Sequence, residues 1–221
     1  MPHTKYINSN GQEVPSVTQI LGVINKPALI NWANKMGLQG IKTSEVLRNT
    51  ADIGTLAHEI IEKWIKKDKP DWSGYNREQI IQACKCAQRF FNWLKEQEKF
   101  VPIVSEIPLV SEQYNYGGCV DLIANLNGKR TVIDFKTSSG IWDEAKYQTS
   151  AYFNMANENG WSCTDIMIIR IGRDSFETFA VKHKEQAFEV FKSALNLYNE
   201  QKKFKELEQF NYKEMWNDIE K

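Results

Sequence analysis

Residues 132–139, VIDFKTSS, carry the first side chains whose spacing suggests chemistry. The stretch reads as a strand, rich in β-branched and aromatic residues, yet Asp134 and Lys136 interrupt it two positions apart. Side chains alternate across a strand, so these two share one face while Ile133 and Phe135 take the other. Upstream, GGCVDLIANLNGKR brings a second aspartate, Asp121, and an Asn127-Gly128 pair suited to the positive φ angles of a tight type I′ turn. With that pair at the turn centre, Leu126 faces Lys129 and Ile123 faces Val132. By the same register Asp121 faces Asp134 and Cys119 faces Lys136, all four on one face. Directly opposed residues hold their Cβ atoms about 4.5–5.5 Å apart, where like charges repel. A divalent cation between the carboxylates removes the repulsion, and Mg²⁺ or Mn²⁺ prefers such oxygen ligands. Lys136 beside them can orient a water or stabilise developing negative charge. The alternative is an exposed acidic pair with Lys136 as counter-ion, and a turn one residue longer would undo the register.

Further candidates lie elsewhere in the chain. His58 sits at the edge of a helical apolar stripe, a place where most histidines are packing residues. Gly54 and Ala57 just ahead of it allow close approach of a backbone or ligand, and neutral imidazole is a common metal ligand. Glu106, in VSEIPL just before the hairpin, is either a third acid at the same centre or an edge charge. Gln148 and Tyr152 are four apart and so share a helix face, for substrate contact or for packing. Arg170 and Arg173 flank the end of a strand, as phosphate contacts or as ion-pair partners. Trp142 is either a stacking platform for bases or a core residue.

These residues need elements to hold them. A small hairpin is expected about Asn10-Gly11, then a capping box from Ser16 to Gln19. A helix follows from Pro27, with Leu29, Trp32, Ala33 and Met36 in register and Gly37 as its stop. From Thr50 the spacing of Ile53, Leu56, Ala57, Ile60, Ile61, Trp64 and Ile65 predicts a long helix. A second runs from about Arg77 to Lys99, with Ile80, Ile81, Cys84, Ala87, Phe90, Phe91 and Leu94 as its apolar face. Strands dominate from Val101, interrupted by a helix around WDEAKYQTSAYFNMANENG, and helix returns from Lys184 to about Leu207. The expectation is one α/β domain over 1–221 with a central mixed sheet flanked by helices: a mainly helical part over 1–100, the sheet over 101–182, and a C-terminal helix and tail over 183–221.

The totals narrow the function classes. Lysines and arginines number 28 and acids 28, for a formal charge of +0, so no global basic field advertises an anionic partner and any such partner must meet a local patch. Cys84, Cys86, Cys119 and Cys163 match no zinc or redox spacing and read as reduced thiols of a cytoplasmic protein. No apolar run is long enough for a membrane span.

The ordered set, G-T-x-x-H, then G-G-x-V-D-L, thirteen residues to D-F-K, then Q-x-x-x-Y, resembles the PD-(D/E)XK nucleases of the RecB type. VPSVTQIL, ALINWANKMG and IGTLAH resemble more narrowly the mitochondrial genome-maintenance exonuclease and its phage and bacterial relatives, over roughly residues 12–182. The resemblance implies a restriction-endonuclease-like core. It also implies a metal-dependent DNA exonuclease acting on single strands or DNA ends in the cytoplasm of a bacterium or phage-infected cell. Asp121, Asp134 and Lys136 would be its catalytic set, with Glu106 the acid of the preceding strand. His58, Asp121, Asp134 and the Phe135 carbonyl would hold Mg²⁺ or Mn²⁺, and Gln148, Tyr152 and Ser16, with Arg170 and Arg173 from the residue reading, would meet the DNA. Some relatives bind an iron–sulfur cluster through four cysteines, one before the core and three after; here none precedes Cys84 or follows Cys163, so no cluster is expected. The resemblance further implies a recombination or replication protein as partner. The alternatives are an endonuclease of the same fold and a non-catalytic DNA-binding subunit.

Overall fold

The Asn127-Gly128 turn organises the sheet. Both residues adopt left-handed backbone, φ 49° and 85°, which is what a type I′ turn demands and what Asn and Gly tolerate. In the computed structural model, which describes residues 5–219 and the side chains of 5–208, this turn joins β4 (Tyr116–Leu126) to β5 (Lys129–Lys136). Their ladder runs from Leu126↔Lys129 through Ile123↔Val132 to Leu122↔Ile133, the register expected from the turn. It stops there: Asp121 does not pair with Asp134, nor Cys119 with Lys136.

Before them come β1 (Tyr6–Ile7), β2 (Glu13–Val14), α1 (Val17–Leu21), α2 (Pro27–Leu38), α3 (Thr43–Lys66), α4 (Arg77–Leu94) and β3 (Phe100–Ser111). After them come α5 (Asp143–Glu158), β6 (Asp165–Ile171), β7 (Phe176–Ala180) and α6 (Lys184–Ile219). Five strands form one sheet in the order β3-β4-β5-β6-β7, antiparallel except that β6 runs parallel to β5 across the α5 crossover. This is a mixed α/β sheet of the restriction-endonuclease-like kind.

Helices cover both faces. Val17, Ile20 and Leu21 of α1, Ala151 and Met155 of α5, and Phe191 and Leu195 of α6 bury against Val120, Ile123 and Val132. On the other face Ile53, Leu56, Ala57 and Ile61 of α3 and Ala83, Cys86, Ala87 and Phe90 of α4 bury against Leu122, Ala124, Ile133 and Phe135. Alternation along β5 thus sends Val132 one way and Ile133 and Phe135 the other.

Several expected elements differ. The Asn10-Gly11 hairpin is not a two-residue turn: β1 and β2 enclose five residues, and the Asn8 side chain accepts from the Asn10 and Gln12 N–H groups. Helix α2 buries none of its residues, and Leu29 and Ile30 are exposed, because it packs chiefly along α3. Helix α3 begins at Thr43 rather than Thr50. Helix α4 ends at Leu94, and its buried line is Gln79, Ala83, Cys86, Ala87 and Phe90, so Ile81 and Cys84 face outward. Helix α6 continues past Leu207 to Ile219; no glycine or proline follows Lys184 to stop it.

Candidate active site

Where the β4–β5 ladder ends, buried charge begins. Along β4, Tyr116, Val120 and Ile123 pack towards α1, α5 and α6, but Leu122 and Ala124 pack towards α3 and α4. The alternation therefore resets between Val120 and Leu122, at Asp121. Opposite, β3 pairs Ser105↔Leu122 and Ile107↔Val120 and skips Glu106, which takes a left-handed φ of 50°. That conformation is costly for a residue with a Cβ, by about 1–2 kcal/mol. The two irregular positions bring Glu106 and Asp121 beside His58 of α3. Imidazole and carboxylate atoms of the three all lie within 4.8 Å of one another.

Asp121 also makes good the missing ladder bond: its Oδ2 accepts the Phe135 N–H at 2.8 Å and lies 3.6 Å from His58 Nδ1. His58 reaches this point because α3 comes close to the end of β5. A Cβ on Gly54 would stand 2.7 Å from Thr137 Oγ1, so glycine is needed there, as its place in the G-T-x-x-H run suggested. The His58 ring meets Phe135 edge-on at 5.8 Å.

Asp134 lies outside this trio. It is 1% exposed, Lys136 Nζ stands 2.8 Å from its Oδ2, and yet neither carboxylate oxygen receives an aligned hydrogen bond. Lys136 itself donates to Gln148 Oε1 at 3.0 Å, and Gln148 Nε2 donates to Tyr152 Oη at 2.9 Å. The expected shared face of Gln148 and Tyr152 thus forms a rail of hydrogen bonds that holds the lysine. Tyr152 is seated by Gly118, where a Cβ would come within 2.6 Å of its ring. Glu144, at the start of α5, adds its charge near Lys136 and pairs with Lys26 at 2.8 Å. Neither Gly118 nor Glu144 was singled out from sequence, although a Gly-Gly pair inside a strand signals close approach.

The electrostatics follow from burial. Desolvation pulls Lys136 down, but Asp134 and Asp121 more than restore it, so it stays a cation. Burial pushes the carboxyls up, Asp134 to about 6 and Glu106, with Asp121 beside it, to about 7. Burial raises Asp121 too, against the pull of Lys136 and the Phe135 N–H. Burial and Lys136 lower His58 to about 4, leaving a neutral imidazole with a free lone pair. A neutral imidazole and two carboxylates that resist ionising together form a donor set that fits a divalent cation, with the buried Asp134, paired with Lys136, nearby.

The other candidates lie apart from these contacts. Ser16 caps α1: its Oγ accepts from Gln19 N–H, and its own N–H donates to Gln19 Oε1. Arg170 is buried and committed, donating to Glu177 Oε2 at 3.1 Å and Ser175 Oγ at 2.6 Å. Arg173 is exposed in the β6–β7 turn. Trp142 is 59% exposed and precedes α5. Cys119 donates its thiol to Glu106 Oε2 at 3.3 Å.

Comparison with known proteins bears on this geometry. Residues 32–218 match the family model of the PD-(D/E)XK nuclease superfamily. No curated protein matches the chain. Among solved structures, it is similar to a "Putative exonuclease" from Eubacterium rectale, at 9% identity and TM-score 0.44, over 66% of this chain and 68% of that one. It is also similar to SSO0001, at 15% identity and TM-score 0.43, over 90% and 80% of the two chains.

Proposed function

Because the chain belongs to the PD-(D/E)XK nuclease superfamily, a family of divalent-metal nucleases acting on nucleic acid, we propose that it is an Mg²⁺- or Mn²⁺-dependent DNA exonuclease that prefers single strands or DNA ends. The observation that carries the reading is the meeting of His58, Glu106 and Asp121 beside the Asp134–Lys136 pair at the open end of one hairpin. Within the superfamily, the ordered motifs support a place with the RecB-type enzymes and the relatives of the mitochondrial genome-maintenance exonuclease. Residues 1–221 would act as one nuclease domain, in the cytoplasm of a bacterium or phage-infected cell, with a recombination or replication protein as partner. Among the described residues no helix is long and apolar enough to cross a membrane.

His58, Glu106 and Asp121 would hold the cation, and Asp134 and the Phe135 carbonyl are the further ligands that the motif implies. The bound cation supplies Lewis acidity at the phosphoryl oxygen and lowers the pKa of water. Lys136 remains protonated, so its part is to orient the attacking water and neutralise charge on the phosphate, not to accept a proton. Gln148 and Tyr152 fix the ammonium by the hydrogen-bond rail, leaving Lys136 N–H groups for substrate. Burial and Asp121 push Glu106 up to about 7, and ligation of the cation would instead hold its carboxylate ionised. Trp142, exposed between Lys136 and α5, offers a ring on which a base can stack.

Linear and circular single-stranded DNA, each incubated with the protein and Mn²⁺, test the exonuclease assignment. Only the linear strand should be degraded, from an end; cutting of the circle would establish the endonuclease alternative instead.

A further inference from the structure

Some lysines and arginines of the sheet are neutralised by a neighbouring carboxylate, as Arg170 is by Glu177 and Lys129 by Asp165. A cluster at one corner is not. Lys85 and Arg89 lie in mid-α4 and Arg173 in the β6–β7 turn, and none of the three is in an ion pair with a described residue. Arg89 fastens the cluster: one guanidinium nitrogen donates to the Lys85 carbonyl at 3.1 Å and another to the Arg173 carbonyl at 2.7 Å. Both neighbours' side chains are thereby left free beside a cavity of about 330 Å³, whose lining holds a single acid, Asp174.

The cavity's position relates it to the proposed active site. Strand β6 runs parallel to β5 with Lys136 opposite Arg170, so the β6–β7 turn emerges at the same end of the sheet as Lys136. The loop after Lys136 touches that turn, since a Cβ on Gly172 would stand 3.4 Å from the Ser138 carbonyl. Two residues lie between Arg170 and Arg173, which carries the turn at most about 10 Å along the sheet from Lys136.

We propose that Lys85 and Arg173, braced by Arg89, form a phosphate-binding subsite for the part of a single-stranded DNA that lies beyond the nucleotide being cleaved. This rests on the reading of the chain as a DNA nuclease and adds a length requirement: a strand too short to span from Lys136 to the cavity gains nothing from it. A rigid guanidinium brace with free cations on either side suits sequence-independent backbone contact, which is electrostatic and salt-dependent.

The test uses fluorescence anisotropy with labelled oligo-dT of about 20 nucleotides and with a labelled dT dinucleotide, whose single step of about 3.4 Å falls short of the subsite, in Ca²⁺ so that binding is read without relying on turnover. Wild-type protein should bind the long strand more tightly. The double variant Lys85→Glu, Arg173→Glu should bind the long strand about tenfold or more weakly, with a salt dependence shallower by about 1.4, the share of two phosphates on a single strand. Its affinity for the short strand should be unchanged. Equal weakening of both lengths, no weakening of either, or no binding of the long strand by wild-type protein overturns the proposal. Mn²⁺-dependent cleavage of the short strand is measured separately. If wild-type protein binds with the expected length dependence but never cleaves, the nuclease reading fails and the subsite stands.

Discussion

The two ends of the β4–β5 hairpin are built on opposite terms. At the turn end the ladder is regular, its residues alternate between two apolar cores, and the strain of positive φ falls on Asn127 and Gly128, which tolerate it. At the far end pairing stops after Leu122↔Ile133, the alternation resets at Asp121, and the strained φ falls on Glu106. The regular end fixes register; the irregular end gathers charges that no regular ladder would bury. Backbone order is exchanged for side-chain placement, as when the Asp121 carboxylate takes the Phe135 N–H. Substitutions at the irregular end should therefore change activity, whereas those at the regular end should cost stability and leave cleavage per folded molecule unchanged.

The largest expected effect is at the irregular end. Asp121→Asn keeps the volume but removes the charge beside His58 and Glu106, and Mn²⁺-dependent cleavage should fall about 10³-fold. Comparable activity would separate the aspartate from the chemistry. Next comes the link between the ends: one residue inserted after Gly128 shifts β4 against β5 and moves Asp121 from its contacts. A displacement of even about 1 Å costs about 10²-fold, so cleavage should drop by at least that much with no ligand altered. Unchanged cleavage would mean that register does not position the site.

Stability separates the ends in the reverse sense. Glu106 binds its proton more tightly folded than unfolded, its pKa rising from 4.5 to about 7. The fold therefore loses stability as pH rises from 4.5 through 7, and the loss persists above. Glu106→Gln removes it, so the metal-free variant should be more stable than wild type by about 3 kcal/mol at pH 8 and near parity at pH 4.5. Denaturant melts at the two pH values read the difference; a variant less stable at pH 8 would contradict the burial argument. Gly118→Ala, which drives a methyl into the Tyr152 ring, should cost about 1–3 kcal/mol and lower activity through the Lys136 rail. Smallest is Asn127→Ala at the turn, about 1 kcal/mol from forcing alanine into positive φ, with cleavage per folded molecule unchanged.

The same division decides what the sequence made legible. The register was readable because Asn-Gly dictates a turn by local sterics, and so were the Ser16–Gln19 capping box, the joint face of Gln148 and Tyr152, and the close approach at Gly54. The facing of Asp121 and Asp134 was not, because it assumed that a regular ladder continues to the strand ends. The left-handed Glu106 has no local sequence signal; it is a tertiary accommodation. Helix faces misled for a related reason. Helices α2 and α4 carry apolar residues on more than one side, and only packing decides which line is buried, so Leu29 and Ile81 ended up exposed. Arg170 read equally as a phosphate contact or an ion-pair partner, and only the fold, by bringing up Glu177 of β7 and Ser175 of the β6–β7 turn, decides for the second.

The central claim is that the irregular end of the hairpin is a metal-dependent nuclease centre worked by Lys136. End-labelled single-stranded DNA incubated with wild-type protein and with Lys136→Ala, in Mn²⁺ and in EDTA, tests it most directly. The account predicts degradation by wild type in Mn²⁺ alone, and a loss of about 10³-fold in the variant. Degradation that survives EDTA, or that Lys136→Ala leaves intact, would contradict it.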